Sequence, residues 1–267
     1  MDILKNIIAH KRKEVDERKS LYPIKLLEKS IYFRSPVVSL KKYLLRKDKT
    51  GIIAEFKRKS PSKGIINKYA PVERTSIGYM QAGASALSIL TDTEFFGGKN
   101  EDLTVARKFN YCPILRKDFI IDEYQLIEAK SIGADAVLLL ANVLDTKKIK
   151  TFSKTAKSLG LEIVVEVRDT KELNSLNELI DAVGVNNRNL RDFKVNVQQS
   201  FKIGEQISKE FIKISESGID SAETIHRLKR AGFSGFLIGE MFMKQSRPEI
   251  TCANFVREIN SFKPKVK

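Results

Sequence analysis

The run "DEYQLIEAKSIGADAVLLL", residues 122–140, contains one complete helix-to-strand unit. Asp122 stands where a helix N-cap belongs, Gly133 where a helix ends in the left-handed conformation, and the apolar run that follows suits a buried strand. The same punctuation returns along the chain. Gly83, Gly160 and Gly232 each close a helical pattern just before an apolar run, and "DSAETIHRLKRAG" again begins with an aspartate, Asp220, and ends with a glycine. Working outward in both directions gives the candidate strands "GIIAEF", "SALSIL", "PILRKDF", "DAVLLL", "EIVVEV", "DAVGVN", "FIKISES" and "GFLIGE". Strands alternating with helices in this number, over roughly 200–250 residues, fit an α/β fold of the (β/α)8 TIM-barrel type, whose active site lies at the C-terminal ends of its strands. A doubly wound open sheet is the alternative, but no GxGxxG follows the first strand.

Ahead of the first strand, "MDILKNIIAHKRKEVDERKS" sets Ile3, Ile7 and Ile8 on one helical face, with Val15 further along and charge elsewhere. That is the pattern of an amphipathic helix packed on a larger body. No linker, low-complexity stretch or composition break follows, so the expectation is one barrel domain over residues 1–267, of which 1–48 form an N-terminal helical extension.

Composition bounds the partners without choosing among them. With 267 residues and 42% hydrophobic content the chain can bury a substantial core. Its 48 Lys and Arg against 33 Asp and Glu give a net charge of +15, which favours anionic partners in general. Basic residues are scattered over nearly every helical pattern and form no stripe with interleaved aromatics, so no specific nucleic acid is expected. Cys112 and Cys252 have no CxxC spacing, which indicates neither a disulfide framework nor a zinc site and suits a reducing cytoplasm. His10 and His226 lie in charged helical stretches and read as surface residues. The N-terminus lacks a signal-peptide core, and the most apolar run, "AVLLLANVL" at 136–144, is far too short to span a bilayer. A soluble, cytoplasmic protein is expected, with no membrane partner.

Side chains alternate along a strand, so Ile53, Glu55 and Lys57 share one face of the first strand while Ile52, Ala54 and Phe56 take the other. With the first set inward, Glu55 and Lys57 line the barrel mouth. The same count pairs Leu115 with Lys117, Val164 with Glu166, Gly184 with Asn186 and Arg188, and Ile214 with Glu216. Ser217 and Gly218 follow the seventh strand, and Gly239 and Glu240 end the eighth. Barrels of this kind often bind phosphate with the loops after those two strands, and Ser60 could add a hydroxyl from the first loop. Phe96 and Phe119 follow strand ends and read either as core or as walls for a substrate. A single charged strand end is ordinarily just solvated; most of the strands ending in reactive or phosphate-compatible groups is not what a barrel built only for stability needs.

The motifs "IIAEFKRKSPSKG", "LSILTDTEFFGG", "PILRKDFIIDEYQ", "GADAVLLL", "VEV", "GVNNRNL", "SESGI" and "FLIGEMFM" stand in the order seen in indole-3-glycerol phosphate synthase, a barrel family of tryptophan biosynthesis. The likeness runs from about residue 2 to residue 255, and "AEFKRKSPS" with "LRKDF" is its most specific part. The resemblance implies a carboxy-lyase acting on a phosphorylated small molecule, 1-(2-carboxyphenylamino)-1-deoxyribulose 5-phosphate, which it closes to an indole with loss of carbon dioxide and water, using no cofactor and no metal. It implies that Lys117 is the general acid and Glu166 the base for dehydration, with Glu55 and Lys57 orienting groups and transferring protons. Asn186, Arg188 and Glu216 match the family's ligands for the substrate's carboxylate and hydroxyls. Phe96 and Phe119 could cover the aromatic ring, and Ser60, Ser217, Gly218, Gly239 and Glu240 match the phosphate end. The expected assembly is a monomer or weak homo-oligomer.

Three positions depart from the family's pattern: Met241 where Ser is common, Arg168 where His is frequent, and Asn189 where Asp is frequent. The Met241 change removes a hydroxyl from the phosphate end; the other two are expected to leave the proton-transfer residues untouched. Lys117 is expected to have its pKa lowered toward the working range by neighbouring cations or burial. The nearest rival, phosphoribosylanthranilate isomerase, would need a Cys and Asp pair at strand ends, whereas Cys112 precedes Pro113 at the entrance of the third strand.

Overall fold

Runs rich in Val, Ile and Leu between glycine-terminated helices form eight strands in the computed structural model, which describes residues 3–189 and 193–262. Asp2, Leu190 of the "GVNNRNL" motif and residues 263–267 of the expected domain lie outside the described residues. The barrel strands are β1 (Ile52–Phe56), β2 (Ala86–Leu90), β3 (Ile114–Lys117), β4 (Ala136–Leu140), β5 (Glu162–Val167), β6 (Ala182–Asn186), β7 (Ile212–Glu216) and β8 (Phe233–Ile238). Each is parallel to the next, and β8 pairs back on β1 through Ile52 and Phe236, so the sheet closes and the open-sheet alternative falls away.

Among the described residues three helices precede the barrel: α1 (Ile3–Leu21), α2 (Ile24–Leu27) and α3 (Leu40–Leu44). The crossovers carry α4 (Val72–Gln81), α5 (Asn100–Phe109), α6 (Tyr124–Ser131), α7 (Thr146–Ser158), α8 (Gln198–Gly204) and α9 (Ala222–Arg230); α10 (Glu240–Met243) and α11 (Pro248–Ser261) follow β8. Gly83, Gly133, Gly160 and Gly232 all take positive φ, between 76° and 97°, where a side chain would be strained. The N-cap expectations need correction. Ser221, not Asp220, caps α9 by accepting from Thr224 N, and Asp122 acts one residue early, accepting from Tyr124 N at 2.9 Å in the turn that leads into α6. Between β5 and β6 the crossover holds only a 3-10 turn, Thr170–Ser175, and the loop after β1 contains a small antiparallel hairpin, Lys59–Ser60 with Gly64–Ile65.

Two cores result. Outward-facing strand residues such as Ile52, Phe56, Ile89 and Val165 pack against the helices, while Ile53, Leu115, Val164 and Ile214 fill the barrel itself. Leu40 and Leu44 of α3 join the interior core, and α3 is pinned at the N-terminal end of the barrel by Glu162, which accepts from Ser39 Oγ and from Lys41 N. Each such leucine, fully buried, contributes on the order of 1.5–3 kcal/mol. Ile7 of α1 joins the same core from the opposite end, so α3 seals one mouth and α1 roofs the other. The histidines are less exposed than expected. His10 sits edge-on to Phe95 and His226 stacks on Phe262, both half-buried.

Candidate active site

Strand pleating and barrel closure together arrange inward side chains in layers of four drawn from alternate strands. One apolar layer of the odd strands is Ile53, Leu115, Val164 and Ile214. Two residues further along the same strands stand Glu55, Lys117, Glu166 and Glu216. The stacking that fills the core below therefore delivers one ammonium and three carboxylates to the mouth. Gly184 on β6 and Gly239 just past β8 leave room for them. A Cβ built on Gly184 would overlap Glu216 Oε1, and one on Gly239 would lie 2.5 Å from Glu55 Oε1.

Lys117 Nζ donates to Glu216 Oε2 at 2.5 Å and to Glu166 Oε2 at 3.1 Å. Burial alone would lower the Lys117 pKa, but Glu216, Glu166 and Glu55 more than reverse this and hold it above the ordinary lysine value. The expected lowering is thus wrong, because closure of the barrel surrounds Lys117 with anions rather than cations. Glu166 also accepts from Asn186 Nδ2 at 3.1 Å and Arg168 Nη2 at 3.2 Å. Burial on its own would raise its pKa; Lys117, Arg168 and the Asn186 amide bring it down to about 2. Glu216 has one oxygen on Lys117 and the other, Oε1, buried without a hydrogen-bond partner, and burial with the neighbouring Glu166 and Glu55 charges pushes it up to about 7. Arg168 thus touches a proton-transfer candidate, contrary to the expectation that its change from the family's pattern would not.

Around this layer the mouth opens into a chamber enclosing about 880 Å³, counting the part open to solvent. One end is apolar, with Phe96 and Phe119 at a ring-centroid distance of 5.9 Å, Leu138 and Leu140 below, and Ile3 and Ile7 of α1 above. The polar end is a second, adjoining cavity, lined by Ser217, Gly218, Gly239 and Glu240 with Lys63 and Arg188. Ser217 and Gly218 both have positive φ, 70° and 72°. For Ser217 this costs about 1–3 kcal/mol, which its bond to Asn186 Oδ1 at 3.1 Å and the Asn187 amide on its carbonyl at 3.0 Å help sustain. Glu55 and Lys57 stand between the ends, joined at 2.6 Å.

The structure brings the sequence-derived candidates around these two adjoining cavities, with two refinements. Ser60 opens on the main chamber beside Pro61 and Ser62, not on the glycine-lined end. Glu240 accepts from Arg188 Nη2 at 2.9 Å and lies 3.9 Å from Lys63. Met241 is half-buried against the core and lines the polar end, where it offers no hydroxyl. Sequence reasoning missed Lys63, which the "KSPSKG" loop carries to the polar end, the roof role of Ile3 and Ile7, and the contact of Arg168 with Glu166. Cys112 precedes β3 and is buried at the opposite end of the barrel. Among the described residues no group of His, Cys, Asp and Glu is placed to hold a metal ion, and no helix is long and apolar enough to cross a membrane.

Comparison with known proteins agrees with the geometry. The family model described as indole-3-glycerol phosphate synthase matches residues 4–255. A protein of that name from Bacteroides thetaiotaomicron is 49% identical over 97% of this chain and 99% of its own length. Another from Caldanaerobacter subterraneus subsp. tengcongensis is 39% identical over 96% and 98%. Among solved structures, a tryptophan synthase complex from Pyrococcus furiosus matches with a TM-score of 0.60 at 13% identity, covering 80% of this chain and 99% of that one, a likeness of fold alone. The chain therefore belongs to the indole-3-glycerol phosphate synthase family.

Proposed function

We propose that the charged layer performs the ring closure that names this family, on 1-(2-carboxyphenylamino)-1-deoxyribulose 5-phosphate, with the aryl ring at the apolar end and the phosphate at the polar end. The observation that carries this reading is Lys117, held at 3.1 Å and 2.5 Å between Glu166 and Glu216 in the wall of the main chamber. In the first step the aryl carbon that bears the carboxylate attacks the ketone. The carbonyl oxygen gains negative charge, and Lys117, kept protonated by its carboxylates, supplies the proton. An alkoxide is a stronger base than an amine, so this transfer is favourable even from a lysine of raised pKa.

Loss of carbon dioxide restores the aromatic ring, and dehydration then needs a base to take a proton from the carbon beside the new hydroxyl and an acid, assigned to Lys57, to protonate that hydroxyl so that it leaves as water. Glu166 at rest is a weak one, because Lys117 and Arg168 stabilise its charge. Once Lys117 has given up its proton, its contribution to that stabilisation vanishes and Glu166 becomes more basic. The first proton transfer thus prepares the second. Glu55 and Lys57, paired beside the layer, orient the substrate and take part in proton transfer.

At the polar end Ser217, Gly218 and Gly239 surround the phosphate and Lys63 supplies charge. The Glu240 carboxylate would repel an anion, so its part is to hold Arg188 and to offer its backbone at the start of α10. Ser60, facing the main chamber, is assigned to the sugar-phosphate chain between the two ends. Asn186, which bonds Glu166 and Ser217, links the two halves of the site and with Arg188 and Glu216 contacts the substrate's carboxylate and hydroxyls. The buried free cysteines suit a reducing cytoplasm.

Indole fluorescence after mixing protein with that substrate tests the reading, since the chain contains no Trp to mask the product. The signal should grow with the parent protein and fall by roughly 10²–10⁴-fold in rate with Lys117→Ala. Equal turnover in the two would remove Lys117 from the chemistry.

A further inference from the structure

α1 buries a lysine where its core-facing stripe should be apolar. Lys11 lies between Ile7 and Val15 on that stripe and is 0% exposed. Its ammonium meets Glu14 at 2.9 Å, Asp92 at 3.0 Å and Asp118 at 2.9 Å. A buried ion cluster is a poor device for stability alone, because apolar residues of similar volume usually serve as well. Where the two aspartates lead is therefore informative. Asp92 accepts from the backbone N–H of Phe95 at 2.8 Å and of Phe96 at 3.2 Å. Asp118 accepts from the backbone N–H of Phe119 at 2.8 Å and from Thr91 Oγ1 at 2.6 Å.

We propose that Lys11 is a positioning residue for the aryl slot, acting through Asp92 on Phe96 and through Asp118 on Phe119. One ammonium ties together the two loops that carry the facing rings, 5.9 Å apart, and the helix whose Ile3 and Ile7 cover them. His10, next along α1, sits edge-on to Phe95 at 5.8 Å and adds a second contact between the helix and the first loop. Arg116 holds the other side of the cluster, on Asp118 at 3.0 Å and Thr91 Oγ1 at 3.1 Å, but among these cations only Lys11 reaches Asp92 and carries the roof helix, and it never touches substrate. The proposal rests on the reading of Phe96 and Phe119 as the aryl walls.

The test is Lys11→Met, which keeps the apolar stem and removes the charge, with KM for the substrate read beside the Kd for inorganic phosphate. KM should rise at least tenfold, the phosphate Kd should stay within twofold, and Lys11→Arg should recover most of the loss. A lowered melting temperature with unchanged KM would show a structural staple only, and equal weakening of substrate and phosphate would show general distortion; either overturns the proposal. Should Lys11→Met fail to fold, Asp92→Asn serves, since it keeps an acceptor for the Phe95 and Phe96 amides and loses the charge facing Lys11. It should raise KM in the same sense, and an unchanged KM there also overturns the proposal. Phe96→Ala and Phe119→Ala test the underlying reading separately. If they leave KM unchanged the aryl slot is misplaced, whereas a raised KM in these and not in Lys11→Met leaves the slot standing and removes Lys11.

Discussion

Gly184→Ala adds one methyl to the inner face of β6 at the level of the charged layer. Gly184 does not take positive φ, so alanine suits its backbone and the cost is purely local. The new Cβ would fall inside 3.0 Å of Glu216 Oε1, 3.4 Å from its Cδ and 3.6 Å from Val164 Cγ1, so the strand is tolerant and the carboxylate is not. Restoring ordinary contact shifts the Glu216 carboxylate by up to ~1 Å, and its other oxygen, Oε2, is the one that holds Lys117. A misplacement of that size costs about 10²-fold in rate, or ~2.7 kcal/mol of transition-state stabilisation. Overpacking costs ~1–3 kcal/mol of stability, offset by the ~0.5–1 kcal/mol that alanine regains over glycine inside a strand. The variant should therefore stay folded, with a melting temperature only a few degrees lower and kcat reduced about a hundredfold by the indole-fluorescence assay. A folded variant with parental kcat would mean that the Glu216 position is unimportant to the acid.

Leu44→Ala, at the opposite end of the barrel from Lys117, should lose about 2–5 kcal/mol in denaturant unfolding and keep its kcat; a large loss of kcat would break the separation between plug and mouth. The pH dependence of stability has a definite sign. Glu216, raised from 4.5 to about 7, holds a proton in the folded state that the unfolded chain has released, so stability falls as pH rises through that window. Glu166, lowered to about 2, acts oppositely, its stabilisation being present above 4.5 and lost as pH falls toward 2. Melting temperatures at pH 5 and 7.5 should differ more in the parent than in Glu216→Gln; equal differences would remove Glu216 as the titrating group. Asp135, raised to about 6 by burial, contributes to both proteins alike. Cys112 and Cys252, buried and pushed up to about 12, should resist alkylation in the native protein at pH 8, and rapid labelling would contradict their burial.

The barrel was readable because helix-ending glycines and apolar runs are local signals. The charged layer was readable too, since counting by two from Ile53, Leu115, Val164 and Ile214 lands on Glu55, Lys117, Glu166 and Glu216. What a single strand cannot disclose is its neighbours around the ring. The sense of the Lys117 shift depended on Glu166 and Glu216 standing beside it, which only closure brings about. The same holds for Arg168, whose contact with Glu166 shows only once β5 and β6 place it there with Asn186. Lys11 was hidden for another reason: a charge on an amphipathic helix reads as solvated unless its partners, here Asp92 and Asp118 far along the chain, are known. Arg116 is a parallel case, 1% exposed and held by Asp118 at 3.0 Å and Glu128 at 2.6 Å on the outer side of β3, one residue before the lysine that faces in.

The assignment of two successive proton transfers to Lys117 and Glu166 is open to one direct measurement, single-turnover release of carbon dioxide followed alongside indole fluorescence in Glu166→Gln. Carbon dioxide should appear at close to the parental rate while the indole signal lags well behind it, because ring closure still has its acid and dehydration has lost its base. If both signals slow together to the same extent, Glu166 acts before decarboxylation and the proposed order of the two residues is wrong.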